Sequence, residues 1–308
     1  MENVLEVRNV TKKFGHQVAL QDVNMTIQAG DIYGLIGKNG AGKTTLLKVI
    51  TQLIEQTQGT VSLFGSSGHQ GLTKALRRTG SVIETPVAYN QLTARENLMY
   101  YCKLRGIVNA KKVIEETLEM VNLSDTGRKK FKNFSLGMKQ KLGIAIAILT
   151  RPDFLILDEP INGLDPLAIV EFRQLIKRLN QEQGMTIIIS SHILEELYQV
   201  ATRFGIINQG ILVKEISKKD FEYLSQDFIV LESPQIHQAS QFIQEGLGLA
   251  IKVVDQTTLH IFAQPDQVNQ IVITLVSQHI PITGIHYSRQ NLESYFTDLV
   301  QQTEEEVS

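Results

Sequence analysis

Apolar and polar residues alternate from Leu5 to Val10 and again from Val18 to Ile27, with Val23, Met25 and Ile27 on one face, which predicts two antiparallel strands at the start of the chain. The pattern then changes. Short, almost continuous apolar runs, as in Asp31 to Ile36, Phe154 to Leu157 and Met185 to Ser190, read as strands buried on both sides. Together with strands beginning near Val82 and Phe204 they alternate with helical stretches, so the fold class expected is α/β: a mainly parallel sheet with helices on both faces and antiparallel strands at the N-terminus. Between about residues 93 and 149 the period is helical, with Val113, Leu118, Met120 and Val121 apolar and Glu115, Glu116 and Glu119 outward, which predicts a helical insertion.

Past Lys218-Lys219-Asp220 the composition shifts to many glutamines and few glycines. Apolar runs at Phe228 to Leu231, Ala250 to Val254, Thr258 to Phe262 and Ile282 to Tyr287 alternate with helical patterns at Gln238 to Glu245 and Asp266 to Ser277. The order βαββαβ predicts a small ferredoxin-like α+β unit, followed by a helix from Asn291 to Gln301. The expected division is therefore a domain over residues 1–217 and a C-terminal accessory domain over 221–308, a packing module in the first instance.

Composition narrows the class. The 308 residues can bury a large core, and a net charge of −2 with 43% hydrophobic residues fits neither a nucleic-acid binder nor a disordered chain. No apolar stretch reaches the about 18 residues a spanning helix needs, and Met1-Glu2-Asn3-Val4 begins no signal peptide, so a cytoplasmic protein without direct membrane insertion is expected. The single cysteine, Cys102, can form no internal disulfide, and its helical context implies packing. His237, His260, His279 and His286 lack metal-ligand spacing.

The chemistry sits in three segments. Gly37-Lys38-Asn39-Gly40-Ala41-Gly42-Lys43-Thr44 is a complete phosphate loop between a buried strand and the helical Thr44 to Ile50 run. Its glycines let successive N–H groups curl around a phosphate, Lys43 neutralises β and γ oxygens, and Thr44 offers a hydroxyl to Mg²⁺. Gly37, Asn39, Gly40, Gly42, Lys43, Thr44 and the adjoining Thr45 are thus the expected nucleotide contacts. Phe154 to Leu157 leads into Asp158, expected to hold the metal, and Glu159, expected to orient or deprotonate the attacking water. Phe134-Ser135-Leu136-Gly137-Met138 lies between them. Together the segments read as an ATPase using ATP and Mg²⁺.

With these motifs the chain, from Met1 to about Glu215, resembles the nucleotide-binding subunit of an ABC transporter. In that family a Ser-Gly-Gly-Gln signature opens a helix, and Ser135 and Gly137 match two of its positions, while Leu136 and Met138 depart from it. The resemblance implies that this signature faces ATP held by a second cassette. With one phosphate loop and no internal repeat, the chain would then act as a homodimer, or as a heterodimer with a related cassette. It further assigns Asp165, in Asn162-Gly163-Leu164-Asp165, to the loop that crosses the dimer seam, His192 to the switch histidine at the γ-phosphate, and Phe14 to the aromatic that stacks on adenine. The helical insertion would touch separately encoded transmembrane permease subunits, placing the chain on the inner face of the membrane as a peripheral protein.

One position departs in charge. Where the family has glutamine, this chain has Glu84, which keeps an acceptor oxygen for the metal but loses the NH₂ donor. That replacement, with Phe-Ser-Leu-Gly-Met and Lys139-Gln140-Lys141-Leu142-Gly143-Ile144, is similar to cassettes associated with bacitracin resistance and lantibiotic self-protection, which implies export of an antimicrobial peptide or antibiotic. The alternative is a soluble ABC ATPase acting as a regulatory or binding module. Such proteins usually carry two cassettes or a long coiled-coil insertion, and neither pattern occurs here.

Overall fold

The computed structural model describes residues 2–85, 87–224 and 227–288. In the first of two units, Met1–Lys218, strands β1 (Asn3–Phe14) and β2 (Gln17–Gln28) pair antiparallel. Their register sets Leu5, Val7 and Val10 opposite Ile27, Met25 and Val23, so both alternations bury the same face. The chain continues through β3 (Ile32–Ile36), α1 (Lys43–Ile50), β4 (Gln58–Leu63), β5 (Ser66–Ser67), α2 (Gly68–Ala75) and β6 (Thr79–Val82). The helical stretch comprises α3 (Ala94–Leu104), α4 (Ala110–Met120) and α5 (Leu136–Ile148). There follow β7 (Phe154–Leu157), α6 (Pro166–Gln183), β8 (Thr186–Ser191), α7 (Leu194–Tyr198), β9 (Arg203–Asn208) and β10 (Ile211–Ser217); α8 (Lys218–Leu224) begins at the last residue of this unit and otherwise belongs to the second.

Two sheets form. One is antiparallel, in the order β2-β1-β4-β5; the other runs β10-β9-β3-β8-β7-β6, parallel except at its β10 edge. Every residue of β3, β7 and β8 is buried, which is why these strands carry continuous apolar runs rather than alternation. The three are neighbours, so the segments leaving their carboxyl ends, residues 37–42, 158–159 and 192, emerge side by side, where ligands bind in open α/β sheets. Tyr33 crosses the sheet, donating its hydroxyl to Glu215 at 2.8 Å; a Cβ on Gly205 would come within 2.1 Å of that hydroxyl, so only glycine fits beside it.

Two expectations shift. The strand read as beginning near Val82 instead ends there: β6 pairs Thr79 to Val82 with Phe154 to Leu157, and Glu84, at φ 63°, has already left the extended conformation. On α4 the buried stripe is Ile114, Thr117 and Leu118, while Glu116 is half-buried and takes the Arg151 guanidinium at 2.6 Å. Cys102 is fully buried in α3, and burial raises its thiol pKa.

The second unit, Lys219–Ser308, contains β11 (Phe228–Glu232), α9 (Ile236–Leu247), β12 (Ala250–Val253), β13 (Thr258–Phe262), α10 (Val268–Ser277) and β14 (Gly284–Ser288). Its antiparallel sheet runs β12-β13-β11-β14, with β13 between β11 and β12 as in a split βαβ unit. Ile229, Leu231, Leu259 and Ile261 from the strands meet Ile236, Ile243, Ile271 and Leu275 from the helices in an aliphatic core. The helix expected over Asn291 to Gln301 lies outside the described residues. Among those described, no helix is long and apolar enough to cross a membrane, and no three metal-binding side chains come together.

Candidate functional site

The loop after β3 folds for two distinct reasons involving glycine. Gly40 and Gly42 hold φ of 82° and 107°, the left-handed conformation that disfavours other residues, and Gly42 caps α1 without a side chain. At Gly37 the constraint is space, since a Cβ there would lie 2.4 Å from the Ile207 carbonyl oxygen. Lys43, the first residue of α1, is 5% exposed, and its Nζ donates to the carbonyls of Gly37 (2.6 Å) and Lys38 (3.1 Å). A buried ammonium at the positive end of a helix concentrates positive potential beside the loop. It therefore calls for an anion.

Within the chain that anion is Glu159, whose Oε1 is 3.1 Å from Lys43 Nζ. The contact is one of charge: Oε1 is buried and accepts no aligned hydrogen bond. Its Oε2 lies 2.9 Å from His192 Nδ1, so one carboxylate spans lysine and histidine. Glu159 adopts φ 46°, a backbone conformation costing a non-glycine residue about 1–3 kcal/mol, as residues at functional sites often do. Ser190, the last but one residue of β8, fixes both acids. Its hydroxyl accepts from the Glu159 N–H at 2.9 Å and donates to Asp158 Oδ1 at 2.6 Å. Asp158 Oδ2 accepts from the Thr44 hydroxyl at 2.8 Å. Two hard oxygens thus converge, a donor set that suits Mg²⁺, which is held by one or two carboxylate or hydroxyl oxygens with phosphates and water completing its shell.

A groove of ≈ 620 Å³ opens over this network, lined by Phe14, Gln17, Val18, Ala19, Asn39, Gly40, Gly42, Lys43, Thr44, Thr45, Glu159, Gln209 and Gly210. Its size falls in the roughly 300–1,000 Å³ range of small-molecule sites. Phe14 is half-exposed, with the Lys12 ammonium 4.9 Å from its ring centroid.

Ser135, Gly137 and Asp165 do not line that groove. Ser135 caps α5, accepting from Met138 N–H at 3.3 Å, and Asp165 caps α6, accepting from Ala168 N–H at 2.9 Å with Pro166 next in the first turn. The two helix starts abut: a Cβ on Gly137 would stand 3.3 Å from Ala168 Cβ, and one on Gly163 would stand 3.1 Å from Leu136 Cδ2. Glu84 makes no hydrogen bond to Thr44 or Asp158. Its carboxylate is 62% exposed and lies 2.5 Å from Lys48 Nζ.

Several participants were not singled out from sequence. Ser190 was visible only as a strand residue ahead of His192, and neither Gln209 nor Gly210 stood out. Gly210 is required there, because a Cβ would sit 2.6 Å from the Ala19 carbonyl oxygen.

The sequence pattern of ABC transporters matches residues 20–162. The chain is 40% identical to the bacitracin transport ATP-binding protein BcrA of Enterococcus faecalis over 97% of each chain. It is also 40% identical to the lantibiotic transport ATP-binding protein SrtF of Streptococcus pyogenes, over 73% of this chain and 96% of that one. Among solved structures it is similar to a dimeric ATP-binding cassette in a post-hydrolysis state bound to ADP and Pi, with 28% identity, a TM-score of 0.62, and coverage of 70% of this chain and 98% of that chain. With loop, paired carboxylates and groove assembled on this fold, the chain belongs to the ABC transporter ATP-binding proteins, the ATPase subunits of those transporters.

Proposed function

We propose that this ATPase powers export of an antimicrobial peptide or antibiotic through separately encoded permease subunits, working as a dimer on the cytoplasmic face of the membrane. The names of the relatives, bacitracin transport and lantibiotic transport, support the class of cargo. The observation that carries the catalytic reading is the single carboxylate of Glu159 set between Lys43 and His192, one residue from the Asp158–Thr44 pair.

Phosphoryl transfer asks a protein for positioning and charge stabilisation rather than covalent chemistry. In this reading the N–H groups of the loop and the Lys43 ammonium hold the β- and γ-phosphates, and Phe14 stacks on the base. Thr44 Oγ1 and Asp158 Oδ2 are the oxygens that would hold Mg²⁺, with Glu84 as a further candidate. When bound there, the metal would neutralise phosphate charge. Lys43, given a phosphate, releases Glu159 from its ion pair. Glu159 then orients the attacking water and accepts its proton, and His192 reads the γ-phosphate. Ser135, Gly137 and Asp165 serve the nucleotide of a second copy, with the N-terminus of α5 turned toward that anion.

Glu159→Gln tests this directly. ATP binding should persist, the protein should sediment as a dimer with ATP and Mg²⁺, and turnover should fall at least about 100-fold, the lower end of what general base catalysis contributes. A wild-type rate, or a monomer under these conditions, overturns the reading. For the cargo, co-expression with its permease should raise a sensitive host's tolerance of bacitracin-type or lantibiotic peptides, and Lys43→Ala should abolish that gain.

A further inference from the structure

Lys48 has no part in the roles above, and Glu84 is hydrogen-bonded to neither Thr44 nor Asp158; the two meet. Lys48 lies one helical turn beyond Thr44 on α1, on the same face, and its Nζ is 2.5 Å from Glu84 Oε1. Glu84 holds its left-handed φ of 63° at this contact. Just before it, the Val82 carbonyl accepts from the Asp158 N–H at 2.9 Å, which keeps Glu84 two residues from the backbone of the metal-side aspartate.

The segment that follows is tied to the helical stretch instead. Val87 O accepts from the Tyr101 hydroxyl at 2.9 Å, and the Asn97 side chain accepts from Tyr89 N–H at 2.7 Å and donates to Tyr89 O at 3.2 Å. Asn90 O and Leu92 O accept from the N–H groups of Lys132 (3.1 Å) and Phe131 (2.8 Å). Residues 87–92 are therefore hydrogen-bonded to α3 and to the segment before α5, whereas the Glu84 side chain is paired with α1.

We propose that Lys48 is a positioning residue that retains Glu84 on α1, and that Glu84 exchanges this ammonium for the metal side of the site at Thr44 and Asp158 when a magnesium nucleotide is held there. The inference rests on the ATP reading above. Its physical basis is that the pair is built to be given up. With side chains 31% and 62% exposed, both charges remain largely hydrated, and such pairs contribute little. A divalent cation is a stronger partner for a carboxylate than one exposed ammonium.

The test uses the full-length protein with Lys48→Gln, Glu84→Gln and the double variant. Binding of a fluorescent non-hydrolysable ATP analogue is titrated with Mg²⁺. Lys48→Gln should lower the Mg²⁺ concentration for half-saturation about two- to five-fold, the range expected for losing an exposed pair, and should have no effect in the Glu84→Gln background. Without nucleotide, Lys48→Gln should also speed amide hydrogen exchange at residues 83–85. No Mg²⁺ shift, or an equal shift in both backgrounds as a general charge effect would give, overturns the proposal. If the unaltered protein bound no analogue at all, the ATP reading itself would fail; binding that responds to Mg²⁺ but ignores Lys48 defeats only the exchange.

Discussion

The phosphate-loop cluster and the Ser135–Asp165 cluster handle polarity in opposite ways. Around the loop, charged side chains are turned on one another: Lys43 on Glu159, Glu159 on His192, Thr44 and Ser190 on Asp158. At the starts of α5 and α6 the polar side chains are spent locally, Ser135 and Asp165 each capping its own helix, and the rest of the contact is glycine, alanine and leucine. The first cluster can take up an anion by exchanging ion pairs. The second offers only backbone N–H groups and shape. Losing a charge should therefore abolish function in the first cluster, while small changes of shape should grade it in the second.

Lys43→Ala should give the largest effect. It removes a 5%-exposed cation and leaves the Glu159 carboxylate beside a site meant for phosphates. Losing one partner of a buried charge-assisted contact costs about 2–5 kcal/mol, which is roughly a 30-fold or greater loss of ATP affinity. Equilibrium binding of a fluorescent ATP analogue measures it. Affinity within a factor of about two of the unaltered protein would erase the contrast between the clusters, because the ammonium would then contribute no more than an exposed charge.

What could be read from sequence divides along a related line. Residues 37–44 and Asp158-Glu159 were legible because each is a contiguous run whose residue types and order mark its chemistry, even though Asp158 and Glu159 meet Thr44, Lys43 and His192 only in the fold. The parallel sheet was legible from the continuous apolar runs of β3, β7 and β8, and the C-terminal order from alternation. Ser190 was not, because its link to both acids depends on the pairing of β7 with β8, which matches Leu157 with Ile189 and so draws Ser190 up to Asp158. Gln209 and Gly210 reach the groove only because the turn between β9 and β10 packs on Ala19. The Lys48–Glu84 contact likewise joins a helix to a loop 36 positions away. The end of β6 was misjudged because an apolar Ile83 follows Val82, and nothing in that pattern announces a left-handed glutamate.

In the second cluster Ser135→Ala should have an intermediate effect. The lost cap costs about 1 kcal/mol of local helix stability, so turnover should drop about five-fold while ATP affinity of the isolated chain stays unchanged, because Ser135 lies outside its own groove. A steady-state rate curve with a parallel binding titration separates the two. Weakened ATP binding without a change in maximal rate would place the serine with the loop cluster instead.

The finest test asks whether shape alone carries the second cluster. A Cβ on Gly137 would stand 3.3 Å from Ala168 Cβ, tighter than ordinary contact but not a collision, so Gly137→Ala should push the start of α5 from that of α6 by only a few tenths of an ångström. The expected cost is a two- to three-fold fall in maximal turnover, about 0.4–0.7 kcal/mol, smaller than the loss of a cap. Ala168→Gly removes the opposing methyl, and combined with Gly137→Ala it restores the space without restoring the sequence. Glycine near a helix start carries its own cost of up to about 1 kcal/mol in stability, so the comparison is made on turnover at a temperature well below melting of either variant. Turnover that recovers in the double variant shows two helix starts sensing each other's volume, as a shape-based half-site requires. If the double variant were as slow as the product of the single effects, the sites would be independent, and the contact between Gly137 and Ala168 would have no part in setting the rate.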